Sequence, residues 1–223
     1  MIKSDIRLLL ADHQELVRCG LQRILDDVPQ LDVVGTASTA EEAIRIAHQV
    51  RPDILLIAVH ISGMGCLEAT RRITAGSPQT RVVVVAERVH DPFPPYLLEA
   101  GVCGYLTRYC TVEEIVEALH AVHNGERYIC ADVARQMALT MLPGQDGSVF
   151  DRMTRRELQI MVMFAEGRRV QDISDMLCLS PKTIYTYRYR LYSLFGVDND
   201  VELAHVAIKY GIVGHPGHPQ FAE

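Results

Sequence analysis

The amino-acid sequence predicts an α/β doubly wound fold, built on a five-stranded parallel sheet, followed by an all-α four-helix domain. Three observations carry this. Short β-branched apolar runs recur through the first 125 residues, stretches with helical spacing separate them, and no strand-like run follows residue 149. Near-continuous apolar runs suit strands covered on both faces, as in a parallel sheet. Their alternation with helices is the pattern of crossover connections. A chain of 223 residues fits between one and two domains, at roughly 150 residues each.

The strand runs are Ile6–Ala11, Leu31–Thr36, Ile54–Val59 and Arg81–Ala86, with a shorter one at Gly104–Thr107. Between the first two, Leu16, Leu21, Ile24, Leu25 and Val28 share a helical face, and further on Ala43, Ile44, Ala47 and Val50 share another. Thr111-Val-Glu-Glu reads as a capping box that opens a helix with Ile115, Leu119 and Val122 as its stripe, closed by Gly125. A further helix spans about Asp132 to Leu142, and Pro143-Gly-Gln-Asp-Gly-Ser breaks all periodicity, as a linker does. Thr154-Arg-Arg-Glu157 is a second capping box, before a helix that buries Leu158, Met161, Val162 and Ala165 and stops at Gly167. Val170–Leu177 forms a short helix, and Ser180 caps a third that begins at Pro181. Val201–Tyr210 makes a fourth. A short helix, a tight turn and a longer helix form a helix-turn-helix. The expected organisation is a sheet domain over 1–125, a helix and linker over 126–149, a helical domain over 150–213 and a tail over 214–223.

Charged residues at 22% and hydrophobic ones at 48% exclude a disordered or collagen-like chain. No window reaches the roughly 18 apolar residues that cross a bilayer, and the N-terminus lacks a signal peptide's apolar core. The expectation is a cytoplasmic protein with no membrane partner. Six scattered cysteines without a C-x-x-C pair fit free thiols in a reduced cytosol rather than a disulfide framework or zinc site. The net charge of −6 conceals an uneven distribution. From Ser148 to Gly211 nine Lys and Arg stand against eight Asp and Glu, so the acidity lies elsewhere and the helical part must be judged alone.

Within that part, Leu179-Ser-Pro-Lys-Thr-Ile-Tyr-Thr-Tyr-Arg-Tyr-Arg, with Thr154-x-Arg-Glu157 before it and Phe195-Gly-Val after it, closely resembles the LuxR-type helix-turn-helix. With the α/β domain ahead of it, the chain resembles a response regulator of the NarL/FixJ family, whose receiver domain has a flavodoxin-like sheet. Gly125-Glu-Arg-Tyr-Ile, Gln136-Met-Ala-Leu and Val201-Glu-Leu point to its GacA/UvrY-like branch. The resemblance covers all but the last ten or so residues.

That resemblance implies a phosphorylation switch, which needs two acids after the first strand and an aspartate ending the third. These hold Mg²⁺ and present the phosphorylated carboxylate, while a Thr or Ser after strand four and a Lys after strand five report the phosphoryl group. Here the acidic pair is Asp12-His13, the acceptor position is Ala58, the switch hydroxyl position is Ala86 and the Lys position is Arg108. Asp53 lies at the opposite end of the strand, about 16 Å away at roughly 3.3 Å per residue, and is no substitute. The expectation is a degenerate receiver, without metal or cofactor. Asp12 and Arg108 either pair as carboxylate and guanidinium or stand separately solvated at the sheet edge.

Along the presumed recognition helix, Lys182, Tyr185, Thr186 and Tyr189 make one exposed stripe, with Ile184, Leu191 and Phe195 opposite in the core. The family's base-contacting positions map onto Tyr185, Thr186 and Tyr189, and Lys182, Thr183 and Arg190 map near the DNA backbone. Arg188 borders the core stripe, so it either binds DNA or packs its stem. No catalytic constellation has positional support, and no glycine run forms a phosphate-binding loop. His215 and His218 belong to a disordered tail or bind metal adventitiously. The resulting reading is a non-enzymatic transcription regulator, with family resemblance implying a homodimer on an inverted repeat of double-stranded DNA. The competing reading is a module that pairs with an intact sibling response regulator and titrates it.

Overall fold

The computed structural model describes residues 5–87, 94–140 and 149–209. The linker from Pro143 and the tail with His215 and His218 lie outside them. Contacts divide the chain into two compact units, Met1–Met141 and Leu142–Glu223. The division falls inside the stretch expected to hold the helix and linker.

The first unit alternates β1 (Ile6–Ala11), α1 (Glu15–Asp26), β2 (Leu31–Ala37), α2 (Ala40–Val50), β3 (Ile54–Ala58), α3 (Cys66–Gly76), β4 (Arg81–Ala86), α4 (Pro94–Glu99), β5 (Gly104–Thr107) and α5 (Val112–His123). It closes with β6 (Tyr128–Ile129) and α6 (Ala131–Thr140). All pairings are parallel, in the order β2-β1-β3-β4-β5-β6. Every residue of β3 is buried, as the unbroken apolar run Ile54-Leu-Leu-Ile-Ala demands. The order reverses at β1 and β3, and such a switch point opens a crevice at the carboxyl ends of the strands. Asp12, Ala58, Ala86 and Arg108 stand at or just beyond those ends.

Two expectations are corrected. The sheet has six strands, not five. A two-residue strand has no period to read, and β6 is fixed by through-space bonds, Tyr128 N to Cys103 O and Cys130 N to Tyr105 O, both 3.0 Å. The α1 stripe is also narrower than its spacing implies. Leu25 is fully buried, yet Leu16 is 86% and Ile24 41% exposed, and the helix ends before Val28.

The second unit opens with a 3₁₀ turn at Val149–Arg152 and continues with α7 (Arg155–Ala165), α8 (Val170–Leu177), α9 (Pro181–Phe195) and α10 (Asp200–Lys209). Its core gathers Phe150, Leu158, Met161, Phe164, Ile173, Ile184, Leu191 and Leu203. Each helix start has a local cause. Thr154 and Glu157 exchange capping bonds at α7, and Ser180 Oγ accepts the Thr183 N–H at 3.1 Å before α9, with Pro181 at its first position. Between α8 and α9 the turn is made by Cys178 in the left-handed region, φ 52°, where glycine is the usual choice. The Leu179 N–H returns to Ser174 O at 3.0 Å and locks the turn.

Candidate nucleic-acid interface and receiver pocket

In the first unit, the Asp12 side chain is 7% exposed at the end of β1. Its Oδ1 accepts the Gln14 N–H at 2.8 Å, and its Oδ2 accepts from Arg108 Nη2 at 3.0 Å. Arg108 Nη1 donates to Gln14 Oε1 at 2.9 Å and lies 3.5 Å from Glu87 Oε1. His13 Nδ1 stands 3.6 Å from Asp12 Oδ1. Ala58 and Ala86 are buried and offer this space only methyl groups. One guanidinium therefore gathers two carboxylates and an amide, where the two readings of Asp12 and Arg108 had been a pair or two solvated groups. The residues present do not fit Mg²⁺. That hard ion needs several oxygen ligands in near-octahedral geometry, and the Asp12 carboxylate already bears a cation with histidine as its neighbour. Among the described residues no group of three or more His, Cys, Asp or Glu is placed to hold a metal.

In the second unit, α9 turns Lys182, Tyr185, Thr186 and Tyr189 to solvent, with Tyr189 66% exposed. Ile184 and Leu191 face the core. Thr183 is half-buried, its hydroxyl 2.8 Å from Ser180 Oγ. Two arginines are more engaged than their positions in the sequence imply. Arg190 is largely exposed, yet its Nε lies 2.6 Å from Oε1 of Glu157, a carboxylate only 1% exposed. Arg190 therefore neutralises a buried acid.

Arg188 is built into the fold. Its Nε donates to Asp200 Oδ1 and Tyr192 Oη, both at 2.8 Å, and its Nη2 lies 2.5 Å from Asp200 Oδ2. The guanidinium also sits 5.6 Å from the ring centroids of Phe164 and Tyr192 and 6.0 Å from that of Tyr185. Burial alone would lower its pKa, but the Tyr192 hydroxyl and the Asp200 carboxylate outweigh burial and raise it. Burial also raises the Tyr192 phenol, which donates to Asp200 Oδ1 at 2.6 Å. The Nε–Nη2 edge of the guanidinium is thus taken up by one carboxylate and one phenol. Of the two readings of Arg188, the structure shows its side chain packed within the fold, bracing α9 against the start of α10.

Residues 8–120 match the response regulator receiver domain family, and residues 151–207 match the bacterial regulatory proteins of the luxR family. The chain belongs to the LuxR family of response regulators. It is 44% identical over 209 residues to the response regulator GacA of Pseudomonas aeruginosa, covering 93% of this chain and 98% of that one. It is 40% identical over 208 residues to the response regulator UvrY of Escherichia coli, covering 93% and 95%. A structure of two RcsB dimers bound to two parallel DNAs shares its fold, with 20% identity, a TM-score of 0.58, and coverage of 91% of this chain and 97% of that one.

In this LuxR-family regulator, several partners in both sites escape a reading of the sequence. Glu87 follows Ala86 directly, and an acid at the mouth of a strand was the available signal. Glu157 reads as the capping-box partner of Thr154, and Asp200 is an acid in the first turn of its helix, local roles that hide a through-space partner. Arg168 and Arg169 precede α8 and line, with Phe164, Tyr185 and Arg188, a groove of about 460 Å³ beside the recognition helix. Because Arg188 braces two helices, Arg188→Ala should lower the stability of the second unit by about 1–3 kcal/mol, since Asp200 loses charge-assisted partners. It should leave the salt dependence of DNA affinity unchanged. Denaturant unfolding and a salt titration read the two effects separately.

Proposed function

We propose that this LuxR-family response regulator is a sequence-specific, DNA-binding transcription regulator whose receiver works without phosphorylation. The observation that carries the second half is the pocket itself. Ala58, at the end of β3, has no oxygen to phosphorylate, while Arg108 holds Asp12 at 3.0 Å. A carboxylate neutralised by a guanidinium resembles the charge balance that a metal would otherwise supply. The pocket is then fixed in one state by the chain's own residues. Ala86 has no hydroxyl to swing toward a phosphoryl group, so the usual response is lost along with the signal.

The first half rests on family membership and on the α9 face. In this reading Tyr185, Thr186 and Tyr189 reach base edges in a major groove, and Lys182, Thr183 and Arg190 settle on phosphates. RcsB, of the same fold, binds DNA as dimers, and two recognition helices in a homodimer would meet the two half-sites of an inverted repeat. Domain boundaries at 125, 149 and 213 go with this reading.

The interface is tested by salt. Lys182 is exposed and carries one charge, so Lys182→Ala should weaken all duplexes alike and flatten the salt slope by about one. Tyr185→Ala and Thr186→Ala should keep the slope and lose roughly 1–3 kcal/mol of preference for the cognate half-site. Equal losses on cognate and scrambled duplexes for Tyr185→Ala would make that tyrosine structural. A full-length protein that captures a sibling regulator but shows no preference for any duplex would overturn the DNA-binding reading in favour of titration.

A further inference from the structure

The cysteines, which the proposed function leaves unused, are not equivalent in the fold. Cys19 and Cys178 are exposed, and Cys66 is buried against Thr70, its thiol pushed up to about 12 by desolvation. Cys110 and Cys130 occupy adjoining places at the end of the sheet. The register pairs Tyr105 with Ile129, so Cys130 follows beside Leu106, one strand spacing of about 4.8 Å away. Its N–H is bonded to Tyr105 O. After β5 the chain turns back on itself. The Cys110 N–H donates to Thr107 O at 3.1 Å, and the Thr107 N–H lies 3.5 Å from Cys110 Sγ. The Cys110 sulfur is thereby folded over the next residue of the same strand, facing the place where Cys130 emerges.

We propose that Cys110 and Cys130 form an oxidisable dithiol, a site of reversible disulfide modification by a hydroperoxide. The electrostatics of the two thiols fit this placement. Desolvation is the main reason that Cys130 is pushed up to about 11, and Cys110 adds to it through both charge and hydrogen bonding. Tyr128, raised chiefly by its own burial, also senses both sulfurs. The asymmetry assigns the roles, since the thiolate is the nucleophile. Cys110 is half-buried at a turn and is the attacking residue, whereas Cys130 is 3% exposed and resolves.

Cys110 loses its proton and its thiolate attacks one peroxide oxygen. The O–O bond breaks and hydroxide leaves as water with that proton, giving Cys110 sulfenic acid. The Cys130 sulfur then attacks Cys110 Sγ. The S–S bond forms, the S–O bond breaks, and hydroxide leaves with the Cys130 proton as a second water. The two thiols lose two electrons and the peroxide gains them. The bond closes a ring around α5 and joins the turn that carries Arg108 to β6, the edge strand of the sheet.

The test treats the full-length protein with hydrogen peroxide, blocks remaining thiols by alkylation and maps the digested peptides by mass. The expected product is a Cys110–Cys130 linked pair, lacking two hydrogens and reversed by dithiothreitol, in about tenfold excess over any other cysteine pair. In Cys130→Ser the same treatment should leave a sulfenic acid on Cys110 that dimedone traps. Cys110→Ser, at the turn, should abolish both products. Cys110 and Cys130 both recovered alkylated after oxidation, or Cys110 linked equally to other cysteines, would overturn the proposal.

Discussion

Full-length protein incubated with a small acyl phosphate and Mg²⁺ is expected to keep its mass, where a working receiver gains one phosphoryl group per chain. Ala58 ends β3 with a methyl group, which has no oxygen to accept a phosphoryl group. Among the described residues, Asp12 is the acid fixed in the pocket by short bonds, and its two oxygens are already occupied by Gln14 N and Arg108 Nη2. Intact mass spectrometry reads the outcome directly, and a stoichiometric adduct on the first unit would overturn it. The Ala58→Asp variant should also phosphorylate poorly. It restores an acceptor but leaves Arg108 competing with any metal for Asp12, His13 in place of a second acid and Ala86 without a hydroxyl. Several positions depart together, so a single repair is expected to fall short.

The second large effect is expected from Arg108→Ala. The Arg108 side chain is 25% exposed and Asp12 only 7%. Deleting the guanidinium leaves a carboxylate with little access to water, which costs about 2–3 kcal/mol, discounted from a fully buried pair because one flank is open. For a unit of this size the melting temperature should fall by about 4–9 °C. Replacing Asp12 as well, in D12N/R108A, should recover part of the loss, since the stranded charge has gone. A double variant as unstable as the sum of its single variants would show that the two side chains do not interact.

What could be read from the sequence follows from how local its causes are. The runs β1, β3 and β4 are legible because burial on both faces demands unbroken apolar residues, and the caps at Thr111, Thr154 and Ser180 are legible because donor and acceptor sit three residues apart. β6 was not, since its two residues owe their conformation to β5 alone. Leu16 and Ile24 fit a helical stripe by spacing, but nothing in the first unit covers them fully. The exposed stripe of α9 follows from periodicity. The fates of Arg188 and Arg190 do not, because Asp200 is 12 residues from one and Glu157 a whole helix-turn-helix from the other. Charge near a core boundary is ambiguous until its partner is located.

On the proposed reading, the DNA-binding unit needs no phosphoryl signal to be released. The most direct test of this compares the affinity of the full-length protein, never exposed to a phosphodonor, with that of the fragment beginning at Ser148, on one cognate duplex at fixed salt. The two dissociation constants are expected to lie within roughly tenfold of each other, or 1.4 kcal/mol. Full-length protein binding a hundredfold more weakly than the fragment would contradict this reading, because the first unit would then mask the recognition helix and require a signal to lift that mask.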